Sequence, residues 1–135
     1  MKRFLSFRRD QKGVSAIEFA LIAPALLSML VGITQLGTLY YAKADLTQAV
    51  AAGARQAQIF PRPDTPTITA AIQGKMIGLQ SNLISGPTIT YGADANGFDY
   101  ADIQISYAVP LNFVIYKPPP ITLVERRRVF LQPAS

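Results

Sequence analysis

Neither cysteine nor histidine occurs among the 135 residues. Without cysteine there can be no disulfide, no iron–sulfur cluster and no thiolate zinc site, and the redox compartment is left open. Without histidine the commonest general base and the commonest transition-metal ligand are gone. Serine triads and HExxH zinc hydrolase motifs are therefore excluded. Catalysis loses its usual tools, so the chain is read as a non-enzyme with no catalytic residues, no cofactor and no metal site. Charge is sparse and uneven. Of 13 Lys and Arg residues, Lys2, Arg3, Arg8, Arg9 and Lys12 precede residue 13, opposed by Asp10 alone, so this segment holds +4 of the formal +5. The pI near 9.7 is thus a local property. The remainder is close to neutral, which points to membrane topology and away from nucleic acid.

What the chain does have is a long uncharged run, FALIAPALLSMLVGITQLGTLYYA, from Phe19 to Ala42. As a helix it would measure about 36 Å at ~1.5 Å per residue, enough for a bilayer core of roughly 30 Å. Tyr40 and Tyr41 close it where an interfacial aromatic belt belongs, and the basic cluster opens it. The positive-inside rule then puts the N-terminus in the cytoplasm and everything after Tyr41 outside. Pro24 interrupts the run and predicts a kink, since neighbouring helices in a membrane can repair the lost donor. Ser28 and Gly32, four residues apart, are small enough for close helix approach.

Three readings of this segment compete. Ala42-Lys43-Ala44 ahead of Asp45 fits the A-x-A form of a signal-peptide cleavage site, although the apolar run is longer than such peptides use. A permanent anchor is the second reading, but it leaves unexplained why Glu18 stands at the entrance to the apolar run. The third follows from the stretch GVSAIEFALIAPALLSMLVGITQLGTLYYAKADLTQAVAAGARQA, behind its basic leader. Gly13, then Val14-Ser15-Ala16-Ile17-Glu18-Phe19 and a long apolar helix resembles the processing site of type IV pilins and pseudopilins. The wider stretch, with EFALIAP, the Gly37/Tyr40 region and AAGAR, is similar to the TadE-like minor pseudopilins of the tight-adherence (Flp) pilus.

That resemblance implies cleavage after Gly13 by a prepilin peptidase, which makes Glu18 the fifth residue of the mature chain. It implies a single-pass protein of the bacterial inner membrane with a periplasmic C-terminal domain. Its partners would be the peptidase, membrane lipid, and other pilins with their assembly machinery, and none would be nucleic acid. Cleavage would create an α-amino group on Val14, mostly protonated at neutral pH given an ordinary pKa near ~8. An unpaired carboxylate at mid-bilayer costs a few kcal/mol, less near the interface. Pairing Glu18 with the Val14 ammonium of an adjacent subunit would offset that cost and set the stagger between helices. The rival from another class is a secreted or membrane-anchored periplasmic binding domain outside any pilus.

Beyond the run, KADLTQAVAAGARQAQ continues the helix to about Gln58. Leu46, Val50, Gly53 and Ala57 share one face of small residues, which predicts a close partner. Arg55 reads as a solvated arginine. PRPDTP is a stiff linker. Thr67 to about Asn82 is expected as a second helix carrying Ile68, Ile72, Met76 and Leu79 or Leu83, with Gly74 and Gly78 against it. Thr88–Tyr91 predicts a short strand, Asn96-Gly97 a turn, ADIQISYAV an alternating strand and ITLVERRRVFL a last one, with LNFVIYKPPP as a loop between them. Asp94, Asn96, Asp99 and Asp102 match no calcium-loop spacing and read as a polar turn. Arg126-Arg127-Arg128 reads as a charged edge strand. The expected organisation is a leader at 1–13, a long helix at 14–58 spanning membrane over about 19–42, a proline-rich linker at 59–66 and a small domain at 67–135. The class is α+β, a small antiparallel sheet with the long helix laid against it.

Overall fold

The computed structural model describes residues 11–113 and 116–132. Most of the expected leader, residues 1–10, lies outside the described residues. Helix α1 runs from Gln11 to Ala57 and passes through Pro24 without interruption. Apart from Glu18 and Lys43 to Arg55, its sequence from Gly13 on is uncharged, and straight-chain and alanine residues dominate the last four turns. The helix ends where Pro61 and Pro63 remove backbone donors. Helix α2 spans Thr65–Gln73, with Asp64 as its N-cap accepting from the Thr67 amide at 3.1 Å and Pro66 in the first turn.

The second helix is shorter than the sequence pattern suggests. It stops at Gln73, Gly74 caps it, and the chain goes on through turns and a 3-10 turn at Ser81–Leu83. Two glycines explain this. Each costs about 1 kcal/mol in a helix interior, and Gly78 sits where a Cβ would fall 2.8 Å from the Tyr41 ring of α1. Met76, Leu79 and Leu83 still pack on the core, but from turns.

The sheet is an antiparallel meander in the order β1-β2-β3, formed by Ile84–Ala93, Asp99–Val109 and Ile121–Phe130. Strand β1 is longer than Thr88–Tyr91 because an irregularity between Ser85 and Thr88 lets it cross Gly86-Pro87. Gly86 adopts φ +100°, a region L side chains rarely enter, and proline is tolerated there because β1 is an edge. The Asn96-Gly97 turn joins β1 to β2 as expected, with the Asp94 carboxylate accepting from the amides of Asn96 and Phe98.

Alternation along β2 sorts the two faces. Ala101, Ile103, Ile105, Tyr107 and Val109 are buried against Leu46, Ala49, Val50 and Ala54 of α1 and Ile68 and Ile72 of α2 in a single core. The class is α+β, a long apolar helix and a short one over one face of a three-stranded sheet. Each buried aliphatic side chain of that core contributes about 1.5–3 kcal/mol.

Candidate functional site

Two halves of α1 behave differently. From Val14 to Tyr41 the large apolar side chains Phe19, Leu21, Leu26, Leu30 and Leu36 are exposed, as is Tyr40 at 73%. At Ala42, 2% exposed, the helix meets the domain, and Leu46, Ala49, Val50, Ala54 and Ala57 are buried from there on. One continuous element is therefore an uncovered apolar rod at one end and a core helix at the other. It is long and apolar enough to cross a membrane, and none of its most apolar window is buried within the molecule.

Three hydroxyl side chains of the rod are satisfied locally, as suits a lipid environment. Ser28 donates to the Pro24 carbonyl at 2.7 Å, Thr34 to Val31 at 2.7 Å and Thr38 to Thr34 at 3.1 Å. Gln35 donates to the Asn112 carbonyl at 2.9 Å, a contact no sequence pattern announced. Near the start of the rod, Gly13, Val14 and Glu18 are all exposed. Val14 and Glu18 are one turn apart and so share a face. Among the described residues no cation stands within salt-bridge range of Glu18.

The small residues picked out for helix packing divide between the two halves. Gly53 and Ala57 pack within the chain: a Cβ on Gly53 would fall 2.5 Å from Cγ1 of Ile72, and Ala57 is buried in the core. The close partner of that face is the chain's own α2 and sheet. Ser28 is exposed, and a Cβ on Gly32 would meet nothing within 4 Å, nor would one on Gly13 or Gly37. Nothing among the described residues requires glycine at those three positions.

The seam is reinforced where helix and sheet edge meet. Lys43 forms an ion pair with Glu125 of β3. On the outer face of the sheet, Asp102 accepts from Arg126 at 2.7 Å and from Arg128 at 3.0 and 2.7 Å. Arg128 also lies 3.9 Å over the Tyr100 ring. Hydrogen bonds from Arg128 and then Arg126 hold the Asp102 carboxyl well below the usual carboxylate range, and Arg128 is pushed up in turn. Asp102 is thus a clasp for two arginines of the edge strand, which removes it from any cation-binding turn. Among the described residues no acidic cluster with metal-holding geometry occurs.

Arg55 and Arg127, which make no ion pair among the described residues, line a groove of about 430 Å³ with Gln58 and Phe130. The sequence could not show this, because the groove depends on β3 running alongside α1. Strand alternation turns Arg127 to the helix side and Arg126 and Arg128 to the other.

No curated protein and no solved structure matches the chain. Residues 13–55 match the family model described as TadE-like protein. The match begins at the glycine ahead of the rod and ends within the seam, so the likeness to TadE-like proteins lies in this helix.

Proposed function

We propose that the chain is a minor pseudopilin of the tight-adherence (Flp) pilus. It is made as a precursor, cleaved after Gly13 by a prepilin peptidase, and used as a structural subunit in assembly or priming. The observation that carries this reading is the two-part helix: an apolar half, most of whose large side chains from Val14 to Leu36 are exposed, built continuously onto a half that is locked into a folded domain. Such an element is stored in lipid and can then be packed laterally against other helices of its kind. The helix lies in the inner membrane with its N-terminus cytoplasmic and the domain periplasmic.

The glycines support the same division. A helical glycine costs about 1 kcal/mol against alanine, and at Gly53 a close contact with Ile72 inside the chain accounts for it. Gly13 and Gly32 have no such contact among the described residues, which fits a demand from outside: a peptidase at Gly13 and a neighbouring helix at Gly32 and Ser28. Once cleavage frees the Val14 amine, Glu18 pairs with the ammonium of an adjacent subunit. That pair contributes register more than stability. The chain needs no active site, cofactor or nucleic acid for this work.

Release of a free domain by cleavage after Ala44 is disfavoured by the seam. Ala42 is buried in the core and Lys43 is paired to Glu125, so that cut would strip the domain of part of its own packing. N-terminal sequencing of the membrane-extracted protein tests the proposal. Val14 as the first residue is the expected result, and Asp45 or an uncleaved leader would overturn it. In the same preparation Glu18→Ala should be cleaved and inserted normally yet lost from assembled material; normal assembly would refute the ion pair.

A further inference from the structure

Strand β2 runs antiparallel to the docked half of α1, from Ile103 opposite Gly53 back toward the rod. From Ile103 to its end at Val109 it covers about 20 Å at ~3.4 Å per residue, whereas α1 from Gly53 back to Ala42 covers about 17 Å at ~1.5 Å per residue. The strand therefore outruns the seam by about 4 Å at this end, and the loop that follows it is delivered alongside the rod. The Gln35–Asn112 bond fixes the depth. Gln35 is about 24 Å along the helix from Phe19 and about 31 Å from Val14, at ~1.5 Å per residue. Whichever residue marks the cytoplasmic boundary, a core of roughly 30 Å puts Asn112 at or just inside the outer boundary.

The loop is made for such a place. Phe113 and Tyr116 are joined by a backbone bond from the Phe113 amide to the Tyr116 carbonyl at 3.1 Å, and Tyr116 is 65% exposed. Lys117 follows, also exposed. Pro110, Pro118, Pro119 and Pro120 bracket the turn, and each lacks the backbone donor that would be costly to leave unsatisfied near lipid. An aromatic pair beside a lysine able to reach the headgroups is the composition of a membrane interface. Tyr40 and Tyr41 of α1 stand at the next turn outward.

We propose that Phe113 and Tyr116, among the described residues between β2 and β3, make a second membrane contact, seated in the outer interfacial layer of the bilayer beside Gln35. This rests on the reading of α1 as a membrane span. Two contacts at different points of the fold fix the rotation of the domain about the helix axis, which a lone span leaves free.

The chain contains no tryptophan, so Tyr116→Trp introduces a single indole that can be excited apart from the remaining tyrosines. The full chain is reconstituted into phosphatidylcholine–phosphatidylglycerol vesicles carrying acyl chains brominated at shallow or deep positions. Leu30→Trp reports on the span and Phe98→Trp, in the β1–β2 turn, on the far end of the domain. Tyr116→Trp should be quenched at least half as strongly as Leu30→Trp, more by shallow bromines than by deep ones, while Phe98→Trp is unaffected. Quenching at 116 no greater than at 98, with Leu30→Trp quenched, would overturn the loop contact and leave the span intact. An unquenched Leu30→Trp would overturn both. Quenching at 116 that falls as protein-to-lipid ratio rises would assign the loop to a second copy of the chain and overturn lipid as its occupant.

Discussion

At the scale of single residues, two carboxylates show opposite solutions to the same problem. Asp102 is 8% exposed and satisfied within the chain by Arg126 and Arg128. Glu18 is exposed on an apolar rod, and its proposed partner belongs to another molecule. The Asp102 clasp makes stability depend on pH. Because its folded pKa is depressed, its contribution is present in full above the ordinary value near ~3.9 and drains away as pH falls below it. Asp102→Asn should lower the thermal midpoint of the domain by a few degrees at pH 7, leaving two guanidinium groups facing a neutral amide. The gap from the parent chain should narrow steadily as pH falls from 4 to 2, followed by circular dichroism. A gap constant across that range would show that Asp102 acts by packing and not by charge.

At the scale of elements, the seam between α1 and the domain depends on small side chains. Gly53 lets α1 approach α2 so closely that Ile72, 0% exposed, fills the place of its missing side chain. Gly53→Val has no room to expand and gains nothing in helix propensity. It should destabilise the domain by about 1–3 kcal/mol, the usual cost of overpacking, seen as a lower denaturant midpoint in detergent. An unchanged midpoint would mean that the helices slide apart at no cost. The elements themselves were largely legible in the sequence. Strict alternation along β2, the Asn96-Gly97 turn and the uncharged run each have a local physical cause. The errors fell where tertiary contact overrides local preference. The second helix was cut short at Gly74 because turns carry Met76 and Leu79 to the core as well as a helix would. Strand β1 was extended past Gly86-Pro87 because β2 supplies a complete ladder beside it.

At the scale of the whole molecule, the chain is asymmetric in both charge and burial: a basic end, a bare apolar rod and a near-neutral domain. The proposed orientation follows that order by the positive-inside rule, and the absence of cysteine makes it easy to test. Thr90→Cys places a lone thiol on an exposed position of β1. A membrane-impermeant maleimide added to intact spheroplasts should label it as fully as after lysis. Labelling that appears only after lysis would reverse the proposed topology. The small-residue stripe from Leu46 to Ala57 also takes its meaning only at this scale, since a helix face suited to a close neighbour does not say whether that neighbour is another molecule or the rest of the same chain.

The sequence by itself determined that one end of this protein is an uncharged helix behind a basic segment, with a lone glutamate at its threshold and an antiparallel sheet beyond. Those features rest on periodicity, length and charge, which are properties of neighbouring residues. Only the tertiary structure decided where the helix ceases to be bare, that Gly53 serves an internal contact, that Asp102 belongs to two arginines, and that Asn112 lies beside Gln35. Each of these joins residues far apart in the chain, and their spacing along it carries no record of the distance between them in space.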